Sequence, residues 1–254
     1  MNDKLKQLLE KKFRQYNTLE FIDSDPIQVP HSFSKKEDIE IAAFLTATIS
    51  WGQRISIIKN AKTLIGLMDN SPHDFILGFQ KNDIKLFNHF VHRTFQPIDC
   101  QYFIQSLKNL YEKQGGLETV FTSGYKKNKT IYGSLAHFRK IFFSIPYPER
   151  TLKHISNVNA NASAKRLNMF LRWMVRSDES GIDFGIWKDI PTSALLLPLD
   201  VHTGTVARSL NLLIRKQDDW KAVEEITANL RVFDINDPVK YDFALFGMGV
   251  SGDY

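Results

Sequence analysis

Cysteine is almost missing from this chain, whose 254 residues contain a single thiol, Cys100. One thiol excludes a disulfide scaffold, a cysteine-built zinc finger and a cysteine-ligated iron–sulfur cluster. Glycine (13) and proline (9) are sparse too, which leaves few of the turn residues that many short strands require. No run approaches the ~20 uninterrupted apolar residues of a membrane-crossing helix. The opening Met1-Asn2-Asp3-Lys4-Leu5-Lys6 is charged and lacks the apolar stretch of a signal peptide. The seven histidines are scattered, with none of the i, i+4 pairing of a helical metal site. A cytoplasmic protein with no membrane partner, no metal and no other cofactor is expected.

What is present suits a globular core, with 43% hydrophobic and 24% charged residues. At roughly 100–200 residues per domain, the length fits one large domain or two small lobes. The net charge of +5 is unevenly placed: between Lys126 and Arg176 eleven Lys or Arg face one acid, Glu149. A segment this basic is what a polyanionic partner requires; ordinary solvated helix faces are the other reading.

Apolar residues recur at helical spacing and sustained alternation is absent, so the chain reads as all-α. Residues 3–16 form an amphipathic helix, followed by a proline-bearing connector from Asp25 to Pro30. Ser34-Lys35-Lys36-Glu37 has the spacing of a capping box, and it opens a helix from Asp38 to Ile49 that has no polar face. That helix ends in Ser50-Trp51-Gly52-Gln53-Arg54; the next repeats at 55, 58, 61, 65 and 68. Shorter helices are expected over 72–79, 82–92 and 98–112, then a loop at Gly115-Gly116, a basic aromatic stretch and a break at Pro146-Tyr147-Pro148.

A hairpin with three asparagines (Asn157, Asn159, Asn161) leads into a helix from Ala164 to Arg176. Asparagine tolerates left-handed backbone better than any residue but glycine. Leu167, Phe170, Leu171 and Met174 give this helix a buried face, and Lys165, Arg172 and Arg176 are expected on another side as offered cations. Downstream, apolar Leu195–Leu199 delivers Asp200 to the N-cap of a helix running to Leu212. Arg208 on that helix is expected to contact phosphate or pair with Asp234 or Asp237. Residues 238–247 read as a packing helix ended by Gly247 and Gly249.

The order of these features carries a resemblance. A buried helix ends in Thr46-Ala47-Thr48-Ile49-Ser50-Trp51-Gly52-Gln53, a hairpin precedes Lys165, and Pro198-Leu199-Asp200-Val201-His202-Thr203-Gly204 follows. Over roughly residues 38–250 this is similar to the helix-hairpin-helix DNA glycosylase superfamily, which includes the endonuclease III-like and 8-oxoguanine glycosylases. The Lys165–Asp200 separation looks most like the archaeal 8-oxoguanine branch. The chain as a whole also resembles an uncharacterised bacterial family known only as a domain of unknown function.

The resemblance implies an all-α, two-lobed fold with a cleft between the lobes and a catalytic segment near 150–212. It implies a monomer that binds duplex DNA, flips a damaged base into the cleft and excises it with Lys165 and Asp200. An ionised Asp200 would stabilise positive charge building on the sugar, and Lys165 would attack the anomeric carbon as a neutral amine, a form favoured by nearby Arg166 and Arg172. Trp51, Gln53, Arg54, Asn159, Asn161, Ser163, Arg166, His202 and Arg208 are the implied DNA or substrate contacts. Asn161 and Ser163 stand where the family hairpin carries two glycines, so phosphate approaches the backbone less easily here. A nucleic-acid-binding protein that keeps the fold without the chemistry is the alternative.

Overall fold

The computed structural model describes residues 2–254. Twelve α-helices follow in order: α1 (Asn2–Tyr16), α2 (Glu20–Ser24), α3 (Lys36–Thr48), α4 (Arg54–Gly66), α5 (Pro72–Gly78), α6 (Pro97–Lys113), α7 (Gly116–Asn128), α8 (Ile131–Phe142), α9 (Lys165–Val175), α10 (Val201–Ser209), α11 (Trp220–Arg231) and α12 (Tyr241–Ser251), with short 3₁₀ turns between several of them. Among the described residues there is no strand, only isolated bridges between His92 and Phe95 and between Ala162 and Asp219. The fold is all-α, and no described helix is long and apolar enough to cross a membrane.

The chain forms two compact units, one from residues through Asp23 together with Asn157–Tyr254, the other Ser24–Ser156. In the Ser24–Ser156 unit α3 is the central rod, with every residue from Asp38 to Thr48 buried. A helix surrounded on all sides can have no polar face, as its sequence indicates. Its two buried acids are satisfied internally: Asp38 accepts the His73 backbone N–H at 2.8 Å, and the Tyr111 hydroxyl donates to Glu40 at 2.7 Å. Phe44 on this rod meets Phe103, Phe138 and Phe142 at ring separations of 5.5–5.9 Å.

Three local expectations fail in this unit. Lys35, not Ser34, is the N-cap of α3 and makes no side-chain cap bond; Ser34 lies one residue too early. The box that does form joins Gln96 and Asp99 at the start of α6. On α4 the buried residues are Ile57, Ala61, Leu64 and Ile65, while Ile55 is 83% exposed, because it falls in the first turn on the outer side. The expected helix over 82–92 is only a 3₁₀ turn, Asp83–Phe87. The stretch after Gly115-Gly116 contains α7, packed so closely on α8 that a β-carbon on Gly124 would lie 2.6 Å from His137 Cβ.

In the other unit α1 and α12 pack together. Gly247 leaves room for the Tyr16 ring, which a β-carbon there would meet at 2.3 Å. The Tyr241 hydroxyl donates to Glu10 at 2.6 Å, Lys240 reaches Glu10 at 2.9 Å, and Lys12 pairs with Asp253. Gly247 and Gly249 were expected to end α12, yet both lie inside it; the stop is Gly252 at φ +72°. Their role is close packing, since a β-carbon on Gly249 would lie 2.9 Å from His202 Cβ on α10.

Candidate active site

The approach to α9 is built by asparagine. Asn157 accepts the Asn159 N–H at 3.1 Å, and Asn161 takes left-handed φ +61°. Asn161 also donates to Asp219 Oδ2 at 2.8 Å while its carbonyl accepts the Trp220 N–H, tying the hairpin to the start of α11. The second left-handed residue is Ala164 at φ +53°, immediately before α9. Of Asn161 and Ser163, only Asn161 therefore uses glycine-like backbone. Ser163 instead offers its carbonyl to Asn168 Nδ2 at 3.1 Å. Asn159 and Asn161 are exposed and Ser163 half-buried.

Lys165 is the first residue of α9, and Asp200 is the N-cap of α10. Leu195, Leu197 and Leu199 are all buried at 0–1% exposure, so the apolar run anchors the strand-like approach to the cap. Asp200 Oδ1 accepts the Thr203 N–H at 2.9 Å. Its other oxygen, Oδ2, faces Lys165 Nζ at 3.6 Å. The two side chains are 29% and 20% exposed, reachable by a ligand but partly shielded from water.

Behind this pair stands a buried ionic array along one stripe of α9. Arg172 donates to Asp242 and, through Nε, to Asp183 Oδ1 at 3.2 Å. Arg176 donates to Asp183 Oδ2 at 3.0 Å, Asp237 Oδ2 at 2.8 Å and Asp178 Oδ2 at 2.7 Å. Arg172 and Arg176 are 4% and 1% exposed. The expectation that they are offered outward is overturned: a buried guanidinium needs carboxylate partners, and here those partners come from outside the basic segment. Arg172 is thus electrically occupied and is not a bare cation beside Lys165. The basic segment is further discounted by Arg150, which contacts Asp99 at 3.2 Å, and Arg139, which donates to the Leu152 and Ile155 carbonyls.

Burial pushes the Asp242 carboxyl up to about 6, with Arg172 opposing and the Asp200 charge reinforcing the rise. Asp237 is raised by burial as well, while Ser180, Arg176 and Asn17 hold Asp178 low against its own desolvation. Arg166, half-buried, is pushed down to about 10 by desolvation.

Each of the remaining expected contacts has neighbours of its own. His202 is exposed and sets its ring edge-on to Phe246 at 6.3 Å. Arg208 pairs with Asp218 at 2.5 Å and donates to the Arg215 carbonyl at 2.9 Å. The expected partners Asp234 and Asp237 are taken by Lys240 and Arg176, and Gly204 leaves the space through which Arg208 reaches Asp218. Trp51, Gln53 and Arg54 belong to the Ser24–Ser156 unit. There Gln53 is an exposed N-cap of α4, and Trp51 is buttressed by His92 edge-on at 5.0 Å and His154 stacked at 6.1 Å. Asp183 and Asp242 were not foreseen; the only signal was that buried arginines need acids. No described group of three His, Cys, Asp or Glu side chains is placed to hold a metal ion.

A family model described as "Protein of unknown function (DUF2400)" matches residues 25–251. The chain belongs to the DUF2400 family. No curated protein and no solved structure matches it. The DUF2400 span contains Lys165, Asp200 and every member of the array behind them.

Proposed function

We propose that the chain is a DNA base-excision glycosylase with abasic-site lyase activity, working through Lys165 and Asp200 on a damaged base flipped out of duplex DNA. The observation that carries this reading is the 3.6 Å approach of Lys165 Nζ to Asp200 Oδ2, a nucleophile and a carboxylate brought together from distant parts of the sequence. Nucleophile and base within or near hydrogen-bond reach is the arrangement that covalent catalysis by lysine requires, and such contacts are commonly looser without substrate.

The chemistry balances on these two groups. Asp200 takes one proton from the Lys165 ammonium, and the freed amine attacks the anomeric carbon. The bond from that carbon to the base nitrogen breaks with its electron pair leaving on the base. Asp200 returns its proton to the departing base and is again a carboxylate as positive charge builds on the sugar. Opening of the sugar ring then gives the protonated imine, as the attacking nitrogen gives up one of its two protons and the ring oxygen gains one through a bridging water. The Thr203 N–H donated to Oδ1 fixes the carboxyl so that Oδ2 stays turned toward Lys165.

Purified protein is assayed for base release from duplexes carrying 8-oxoguanine, uracil or an alkylated purine, and for strand scission at an abasic site. Release of at least one base, lost in Lys165→Gln and Asp200→Asn, supports the reading. Salt-sensitive duplex binding without release from any substrate supports instead a binding protein that lacks the chemistry.

A further inference from the structure

We propose that Arg93 grips a phosphodiester of duplex DNA, its guanidinium laid over Gly52 on the Ser24–Ser156 unit; this rests on the reading that the chain binds DNA, and not on the lysine–aspartate chemistry. Two turns are joined at this place. His92 and Phe95 close a two-residue turn through a pair of backbone bonds, each 2.9 Å, with Arg93 and Thr94 at its tip. The other turn, Trp51-Gly52-Gln53, leads from α3 into α4. Asn60 Nδ2 donates to His92 Nδ1 at 2.8 Å, so the imidazole proton sits on Nε2 and is donated to the Trp51 carbonyl at 3.1 Å. One histidine thus fixes each turn against the other.

Arg93 holds left-handed backbone at φ +53°. A turn this tight calls for such a residue at its tip, and glycine or asparagine serves it with less strain. Arginine in that place therefore lowers folding stability for the sake of its side chain. Both carbonyls of the tip are committed: Gln96 Nε2 donates to that of Arg93 at 2.9 Å, and Arg150 Nη2 to that of Thr94 at 3.2 Å. The Arg93 side chain is not. It is exposed and, among the described residues, has no carboxylate or carbonyl partner. Its direction depends on a missing side chain, since a β-carbon on Gly52 would lie 3.0 Å from Arg93 Nη1 and 3.1 Å from its Cδ.

Elsewhere Arg172, Arg176, Arg208 and Arg215 each hold a carboxylate, and Arg139 and Arg231 hold carbonyls. Arg93 is kept out of any such pairing while its backbone is held still. A guanidinium placed in this way matches two oxygens of one phosphate, which its planar fork meets with parallel hydrogen bonds. Gln53, exposed on the facing turn, adds a neutral donor and acceptor of the kind that contacts sugar and phosphate along a duplex backbone. Arg150 reaches the same turn with its side chain 37% exposed, so the face presents a second cation, which suits a polyanion above a single small anion.

The test is fluorescence anisotropy of the full chain on a labelled, undamaged duplex, titrated from about 50 to 200 mM salt. Arg93→Gly is expected to bind about 5- to 20-fold more weakly at the low-salt end and to lose about one unit of the slope of log Kd against log salt. Its urea midpoint is expected to be no lower than the native one, because glycine relieves the left-handed residue. Arg93→Lys keeps the charge without the fork and recovers only part of the affinity. Lys113→Gln, exposed in the last turn of α6 and about 25 Å along that helix from its Gln96 end, leaves affinity and slope unchanged. Native affinity and slope in Arg93→Gly overturn the proposal. So does an equal loss in Lys113→Gln, which marks a general charge effect, or a lowered midpoint in Arg93→Gly, which makes the arginine structural. A native chain that does not bind the duplex overturns it as well. Binding without base release would sink the glycosylase reading alone, and the Arg93 variants would still decide the phosphate contact.

Discussion

Lys165 and Asp200 meet at 3.6 Å because two helix starts coincide: α9 begins at the lysine, and the aspartate caps α10. A capping residue is fixed by its own backbone bond, so Asp200 keeps one oxygen on the Thr203 N–H and turns the other to Lys165. This separates its two roles by experiment. Asparagine caps helices as well as aspartate, so Asp200→Asn is expected to change stability by less than about 0.5 kcal/mol. Activity is expected to fall roughly 100-fold or more, the scale on which removal of a preorganised electrostatic group acts. Asp200→Ala loses the cap as well and costs about 1 kcal/mol; urea midpoints beside single-turnover rates check both.

Arg176 holds three carboxylates from a site that is 1% exposed. Arg176→Met leaves Asp183 and Asp237 buried with much of their compensation gone, and breaking a buried pair in this way costs about 3–5 kcal/mol. Arg176→Met combined with Asp183→Asn is expected to recover part of that loss, because it removes one stranded charge. Chemical denaturation of the single and double variants measures the coupling.

Asp242 sets a pH dependence of stability with a definite sign. Its folded carboxyl is raised to about 6, so between about pH 4 and 6 the folded protein binds more protons at this group than the unfolded chain does. The contribution of Asp242 is therefore fully present below its unfolded value of about 3.9 and is lost as pH rises through 6. The change amounts to roughly 3 kcal/mol at most. Asp242→Asn removes it, so the difference in unfolding free energy between variant and native protein shifts in the variant's favour from pH 4 to 7. A pH-independent difference would contradict the assignment.

Gly247 is a packing glycine, with the Tyr16 ring where its side chain would be. Gly247→Ala is expected to destabilise by about 1–3 kcal/mol, the usual cost of overfilling a packed interface. Pairing it with Tyr16→Leu relieves the clash and returns part of the stability, measured as the thermal midpoint of each variant.

Much of the fold was legible in the sequence. Apolar residues on every side of α3 call for a buried helix, and Asp200 before a helical repeat reads directly as a cap. Asn161 signals left-handed backbone, which it adopts at φ +61°. Arg172 and Arg176 show why the rest was hidden. A cation at helical spacing looks the same whether it faces water or a buried acid, and the acids here stand at 178, 183, 237 and 242. Gly247 and Gly249 misled for a related reason: a glycine that ends a helix and one that admits a neighbour are told apart only by what packs against them. The helix α11 has its apolar residues at 220, 223, 226 and 230, a pattern present in the sequence but left unread between the capped helix and the C-terminal one.

The most direct measurement is borohydride trapping on an abasic duplex, followed by peptide mapping of the cross-linked residue. The account predicts one covalent adduct, mapped to Lys165, abolished in Lys165→Gln and strongly reduced in Asp200→Asn. An adduct mapped to another lysine, or none from a folded protein that binds the duplex, contradicts it.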